Sequence, residues 1–118
     1  MRLVAGAQEL RHTWYLTFTE DAWRQLFAES KTLKPFRFGL GSYLPLYDSL
    51  ELARGRLPDT SNNDVIVLKV IMPLSALRSL RSDGMAHRAA DRWQVYDVIE
   101  VTEYDHGWAR LTDVPDNW

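Results

Sequence analysis

Three short stretches of the chain bring together residue types that do chemistry. In Phe38-Gly39-Leu40-Gly41-Ser42-Tyr43 two glycines stand two apart, a spacing that permits a tight bend and a close approach of backbone to ligand. Tyr43 adds a flat aromatic face beside that opened backbone. The segment is not a dinucleotide-binding glycine fingerprint, because the third glycine is missing and no suitable strand precedes it. Leu10-Arg11-His12-Thr13 supplies a lone histidine, a residue whose ordinary place is the surface or the core. The third stretch runs from Arg92 to Val101. Trp93, Val95, Ile99 and Val101 alternate along one face of it, with Asp97 the exception. Arg92, Gln94, Tyr96 and Glu100 share the other face. Taken singly, the three stretches read as a turn, a filler and a half-buried strand.

The elements that must position them are legible around them. Thr13 to Phe18 mixes β-branched and aromatic residues and predicts a strand. Thr19 before Glu20 and Asp21 predicts a helix start, with a capping hydroxyl and acids at the positive end of the dipole. Ala22, Trp23, Leu26 and Phe27 give that helix a buried stripe ending near Ser30. Lys34-Pro35 marks an extended connection. Asp48 or Ser49 caps a short helix through Glu51 to Arg54, and Leu57 to Asn63 is the plainest loop. Val65 to Ile71 is apolar almost throughout, which places it centrally in a sheet. Pro73 suits the first turn of a helix ending near Leu80, and Ser82-Asp83-Gly84 is a turn. Trp93 to Val101 predicts a second long strand and Trp108 to Thr112 an edge strand. Strands and short helices in this order give an α+β class, a mixed and mostly antiparallel sheet flanked by short helices.

Bulk properties bound the function. The chain has 118 residues, 46% hydrophobic and 12% aromatic, enough apolar mass for one domain with a real core. A net charge of −2 argues against a domain whose first partner is a phosphate backbone. With no cysteine, disulfides and thiolate-ligated metals are excluded. The longest apolar run is too short to span a bilayer, and no cleaved signal opens the chain, so no membrane partner and a cytoplasmic location are the expectation. His87 and His106 stand in polar, turn-like contexts without a partner at metal spacing. Arg78, Arg81, Arg88 and Arg92 read as a solvated basic face, and Trp14, Trp23, Trp93 and Trp108 as core.

Order and spacing connect the three stretches. Phe38 to Tyr43 resembles the F-G-x-G-x-Y element of the poly(ADP-ribose) polymerase branch of the ADP-ribosyltransferases. His12 stands 31 residues before Tyr43, similar to that family's histidine at the end of its first strand. Leu50-Glu51-Leu52-Ala53, Val65 to Ile71 and Trp93-Gln94-Val95-Tyr96-Asp97 follow in the family's order. The resemblance implies a small toxin- or effector-type catalytic domain that cleaves NAD, its substrate, and passes ADP-ribose to a protein, nucleic-acid or small-molecule acceptor, or hydrolyses NAD. His12 would then bond the ribose beside the nicotinamide, and Tyr43 would stack on the ring. Thr13, Gly39, Gly41, Ser42 and Gln94 would complete the NAD contacts.

The departures bear on turnover. Thr13 stands where the family has glycine, and Arg92 stands where it has the catalytic glutamate. An arginine cannot supply negative charge, although it can bind phosphate or carboxylate. Asp91 is one residue off and reaches the site only from the loop before the strand or from a bulge. Glu103 is the fallback acid. The alternative is an ADP-ribosyltransferase-like NAD- or protein-binding module without catalysis.

Overall fold

Strands and short helices alternate along the chain as β1 (Arg11–Thr19), α1 (Glu20–Trp23), β2 (Thr32–Leu33), β3 (Phe36–Phe38), β4 (Gly41–Tyr47), α2 (Leu50–Arg54), β5 (Val65–Pro73), α3 (Leu74–Ser82), β6 (Ala86–Arg88), β7 (Arg92–Val95), β8 (Ile99–Glu100) and β9 (Asp105–Arg110). The structure is a computed structural model and describes residues 11–25, 31–38, 41–55 and 62–118. Six strands form one sheet in the order β6-β7-β4-β1-β5-β9, with β3 paired to the first residues of β4. Every pairing is antiparallel, and the class is α+β.

The apolar run at β5 explains the layering. It lies between β1 and β9, and both its faces are covered, so Val65 to Leu68 are buried without alternation. β1 pairs with it from Arg11↔Pro73 to Thr19↔Val65. One face of the sheet carries Trp14, Leu16 and Phe18 of β1, Leu44 and Leu46 of β4, and Trp93 and Val95 of β7. Trp23 of α1, Leu77 of α3, and Leu33 and Ile99 of the small β2–β8 ribbon close over it. The other face carries Tyr15 and Val67, covered by Leu50 of α2 and by Val114 and Trp118 of the C-terminal segment. Each fully buried aliphatic side chain contributes about 1.5–3 kcal/mol relative to exposure.

Local signals set the helix ends. The Thr19 hydroxyl accepts from Ala22 N–H at 3.1 Å and the Ser49 hydroxyl from Leu52 N–H at 3.1 Å. Of the two residues the sequence offers as the second cap, Ser49 is the one used. The extension of α1 toward Ser30, with Leu26 and Phe27, lies outside the described residues, as does most of the Leu57 to Asn63 loop. At the end of α3, Gly84 adopts φ +75°, and Met85 N–H and Gly84 N–H bond back to the Leu80 and Arg81 carbonyls. This paired closure needs a left-handed residue, which glycine supplies without strain.

Three expectations change. The strand predicted from Trp93 to Val101 breaks after Val95. Asp97 Oδ1 accepts from Val98 N–H at 2.8 Å, which turns the chain out of the sheet, and Ile99 pairs instead with Leu33. Trp108 is half exposed rather than core, because β9 is an edge strand; its ring rests on Trp23 at 5.2 Å. His87 and His106 sit in strands β6 and β9, not in turns. No helix among the described residues is long and apolar enough to cross a membrane.

Candidate functional site

Four of the residues singled out in the sequence gather at β4 and β7. In the register Tyr47↔Arg92, Arg92 and Gln94 share a face with Tyr43 and Tyr47. Arg92 Nη2 donates to the Tyr43 hydroxyl at 3.4 Å, and its guanidinium lies 6.0 Å from the Tyr43 ring and 5.9 Å from that of Tyr47. Asp91 stands in the bend just before β7 and accepts from Arg92 Nη1 at 2.6 Å. It therefore reaches this face from the loop, as its offset from the strand requires. Tyr96 donates to Gln94 Oε1 at 3.1 Å and meets the Tyr43 ring edge-on at 6.3 Å. Burial opposes the charge on Arg92, but the hydrogen bonds to Tyr43 and Asp91 outweigh it and raise the guanidinium pKa. Ser42 is exposed on β4 opposite Arg37, Gly41 pairs with Phe38, and Gly39 lies outside the described residues.

His12 is not part of this cluster. The one bridge between β1 and β4 is Tyr15↔Tyr47, so Tyr43, four residues from Tyr47, keeps the face of Tyr15. His12, three residues from Tyr15, points to the opposite face, where it stacks on Trp14 at 5.4 Å. Because the strands run antiparallel, those offsets also add, leaving the two residues roughly 23 Å apart along the strand axis at about 3.3 Å per residue. Thr13 shares Tyr43's face but lies toward the His12 end. A single pocket joining His12 and Tyr43 is thus not assembled. Glu100 leaves the sheet with β8, and Glu103 follows it on a short 3₁₀ turn.

His12 instead opens onto a groove of about 400 Å³, lined also by Trp14, Asp48, Leu74, Arg78, Arg81, Arg88 and Trp93. Leu74, Arg78 and Arg81 follow one another at helical spacing and form one stripe of α3. Arg81 lies 5.7 Å and Arg88 6.0 Å from the ring of Trp93, which is itself buried. Asp48 receives both Arg88 Nη atoms, at 2.6 and 2.5 Å, and this pairing raises the Arg88 pKa. Arg78 and Arg81 have no carboxylate partner among the described residues. The Trp14 indole Nε1–H is buried without an acceptor, a state that costs about 1–3 kcal/mol when no partner arrives.

The chain has no match. Comparison with protein-family models, with curated proteins and with solved structures finds none. Arg78, Arg81, Arg88 and Arg92 do not form the single solvated face that their clustering predicts: the fold sends Arg92 to the tyrosines and the other three to His12. The available signal was the spacing of Leu74, Arg78 and Arg81 on one helix face. Across α3, Met72, Ala76, Leu80 and Ile99 floor a second groove, rimmed by Glu100 and Glu103.

Proposed function

We propose that the domain is a binding module of the ADP-ribosyltransferase-like kind, with NAD as the first ligand to test, and not a transferase. The observation that carries this is the Asp91–Arg92 pair. Cleaving the nicotinamide bond passes through an oxocarbenium-like state that negative charge must stabilise. At the position where the resemblance calls for an acid there is a guanidinium, and the neighbouring acid is committed to it at 2.6 Å. The separation of His12 from Tyr43 points the same way. Tyr43 itself is buried, but the half-exposed Tyr96 ring that meets it edge-on and the partly exposed Arg92 guanidinium together supply an aromatic group and a cation suited to a ring-bearing anion.

A second reading, mono-ADP-ribosyltransferase or NAD glycohydrolase in the cytoplasm acting on an unidentified protein, nucleic-acid or small-molecule acceptor, draws on one fact. Tyr43, Asp91, Arg92 and Gln94 do share one place. Calorimetry with NAD, run beside an assay of nicotinamide release, separates the two. Binding without release, weakened about tenfold by Tyr43→Ala as loss of a stacking ring should do, is the expected result. Release by the wild type would favour the transferase, and no binding at all would remove NAD from consideration.

A further inference from the structure

We infer that the groove at His12, Arg78 and Arg81 is a binding site for the phosphate group of a small molecule. The site lies on the sheet face opposite Tyr43 and stands apart from the NAD reading above. Two features make it a built site and not a patch of surface charge. First, two of its three guanidinium groups are held over a buried ring. Arg81 and Arg88 lie over Trp93 and the His12 ring stacks on Trp14, so these side chains are oriented before a ligand arrives. Second, the charges do not cancel. Three guanidinium groups face one carboxylate, and Asp48 engages only Arg88.

Two guanidinium groups left without a carboxylate match a phosphate monoester dianion better than a single carboxylate, because the planar forks donate in pairs to tetrahedral oxygens. Trp14 lines the same groove, and its Nε1–H, buried without an acceptor, makes its indole a sensitive reporter of changes there. Leu74 and the tryptophan edges supply the apolar wall for the body of the ligand. A small ligand is favoured over a polymeric phosphate backbone by the surroundings. The chain as a whole carries −2, and the groove on the other flank of α3 is rimmed by Glu100 and Glu103, which would repel an extended polyanion.

The experiment titrates inorganic phosphate and, separately, AMP into the full chain, followed by calorimetry and by the indole N–H signal of Trp14 in NMR spectra. Both probes are expected to bind and to shift that signal, with affinity falling as salt rises. The double variant Arg78→Gln, Arg81→Gln should lose about tenfold or more of the affinity. Its thermal midpoint should stay close to that of the wild type, since both side chains are exposed. The inference is overturned if neither probe binds at about 10 mM, or if the double variant binds them as the wild type does. A short single-stranded oligonucleotide that binds more tightly than AMP would overturn the small-molecule assignment. NAD binding that depends on Tyr43, with no binding of phosphate or AMP, would sink this inference and leave the function proposed above standing.

Discussion

The His12 groove and the Tyr43 cluster are built from similar materials, arginine, aromatic ring and aspartate, yet they are electrically opposite. In the cluster, Arg92 lies beside the rings of Tyr43 and Tyr47 and is bonded to Asp91, so cation and acid satisfy one another with most of their surface covered. In the groove the rings lie beneath the cations, and only Arg88 has an acid; Arg78 and Arg81 face solvent over an apolar floor. The two are joined at their backs, where Asp48 N–H donates to the Asp91 carbonyl at 3.2 Å, so adjacent acids serve opposite faces. Enclosed charge organises the fold, while charge left open on a rigid support is available to a ligand.

Substitutions can break or sharpen that contrast. The largest effect is expected at Trp93, the buried ring beneath Arg81 and Arg88. Trp93→Ala should cost about 3–5 kcal/mol in chemical denaturation, and Trp93→Phe considerably less, if the ring is a structural support. Next comes a matched pair of charge removals. Asp91→Asn leaves the partly buried Arg92 without its acid and should cost about 1–3 kcal/mol. Arg81→Gln gives up only an exposed cation–ring contact, about 0.5–1 kcal/mol. Equal losses in the two variants would erase the distinction between enclosed and open charge.

The smallest effect belongs to a pair outside both regions and serves as the control. The hydrogen bond from Arg110 to Glu20, at 2.6 Å, holds that carboxyl below its ordinary value of 4.5. A depressed carboxyl stabilises the fold above its unfolded pKa, and the contribution is lost as pH falls below 4.5 through the folded value. Because the pair is exposed, Glu20→Gln should change the acid side of the stability profile only slightly, and less in high salt than in low. A large change there would mean that surface pairing matters more than the contrast allows.

Much of the fold was legible in the chain. The Thr19 cap and the Ser82-Asp83-Gly84 turn rest on interactions within a few residues, the strand at Val65 on a continuous apolar run, and each appears where it was expected. Trp93 to Val101 misled because its buried residues do alternate; all four are buried, but Trp93 and Val95 in the main sheet, Ile99 in the two-stranded ribbon and Val101 on the 3₁₀ turn after it. Periodicity records burial without recording which partner does the burying. The site was less legible. Arg92, Gln94 and Tyr43 meet as strand alternation allowed, whereas the three arginines around His12 come from α3 and β6 and converge only in space.

Taken alone, the sequence determined the strands at Thr13 to Phe18 and Val65 to Ile71 and where helices begin, but not that Gly41–Tyr47 is a strand inside the sheet. It also determined that a tyrosine, a histidine and an arginine stand at suggestive intervals. It did not determine which of them meet. That was decided by the register Tyr15↔Tyr47, a single long-range pairing, since in a strand every odd step changes the face. Intervals along a chain are set by covalent geometry, but the side of a sheet on which a side chain stands is set by the strand that pairs with it.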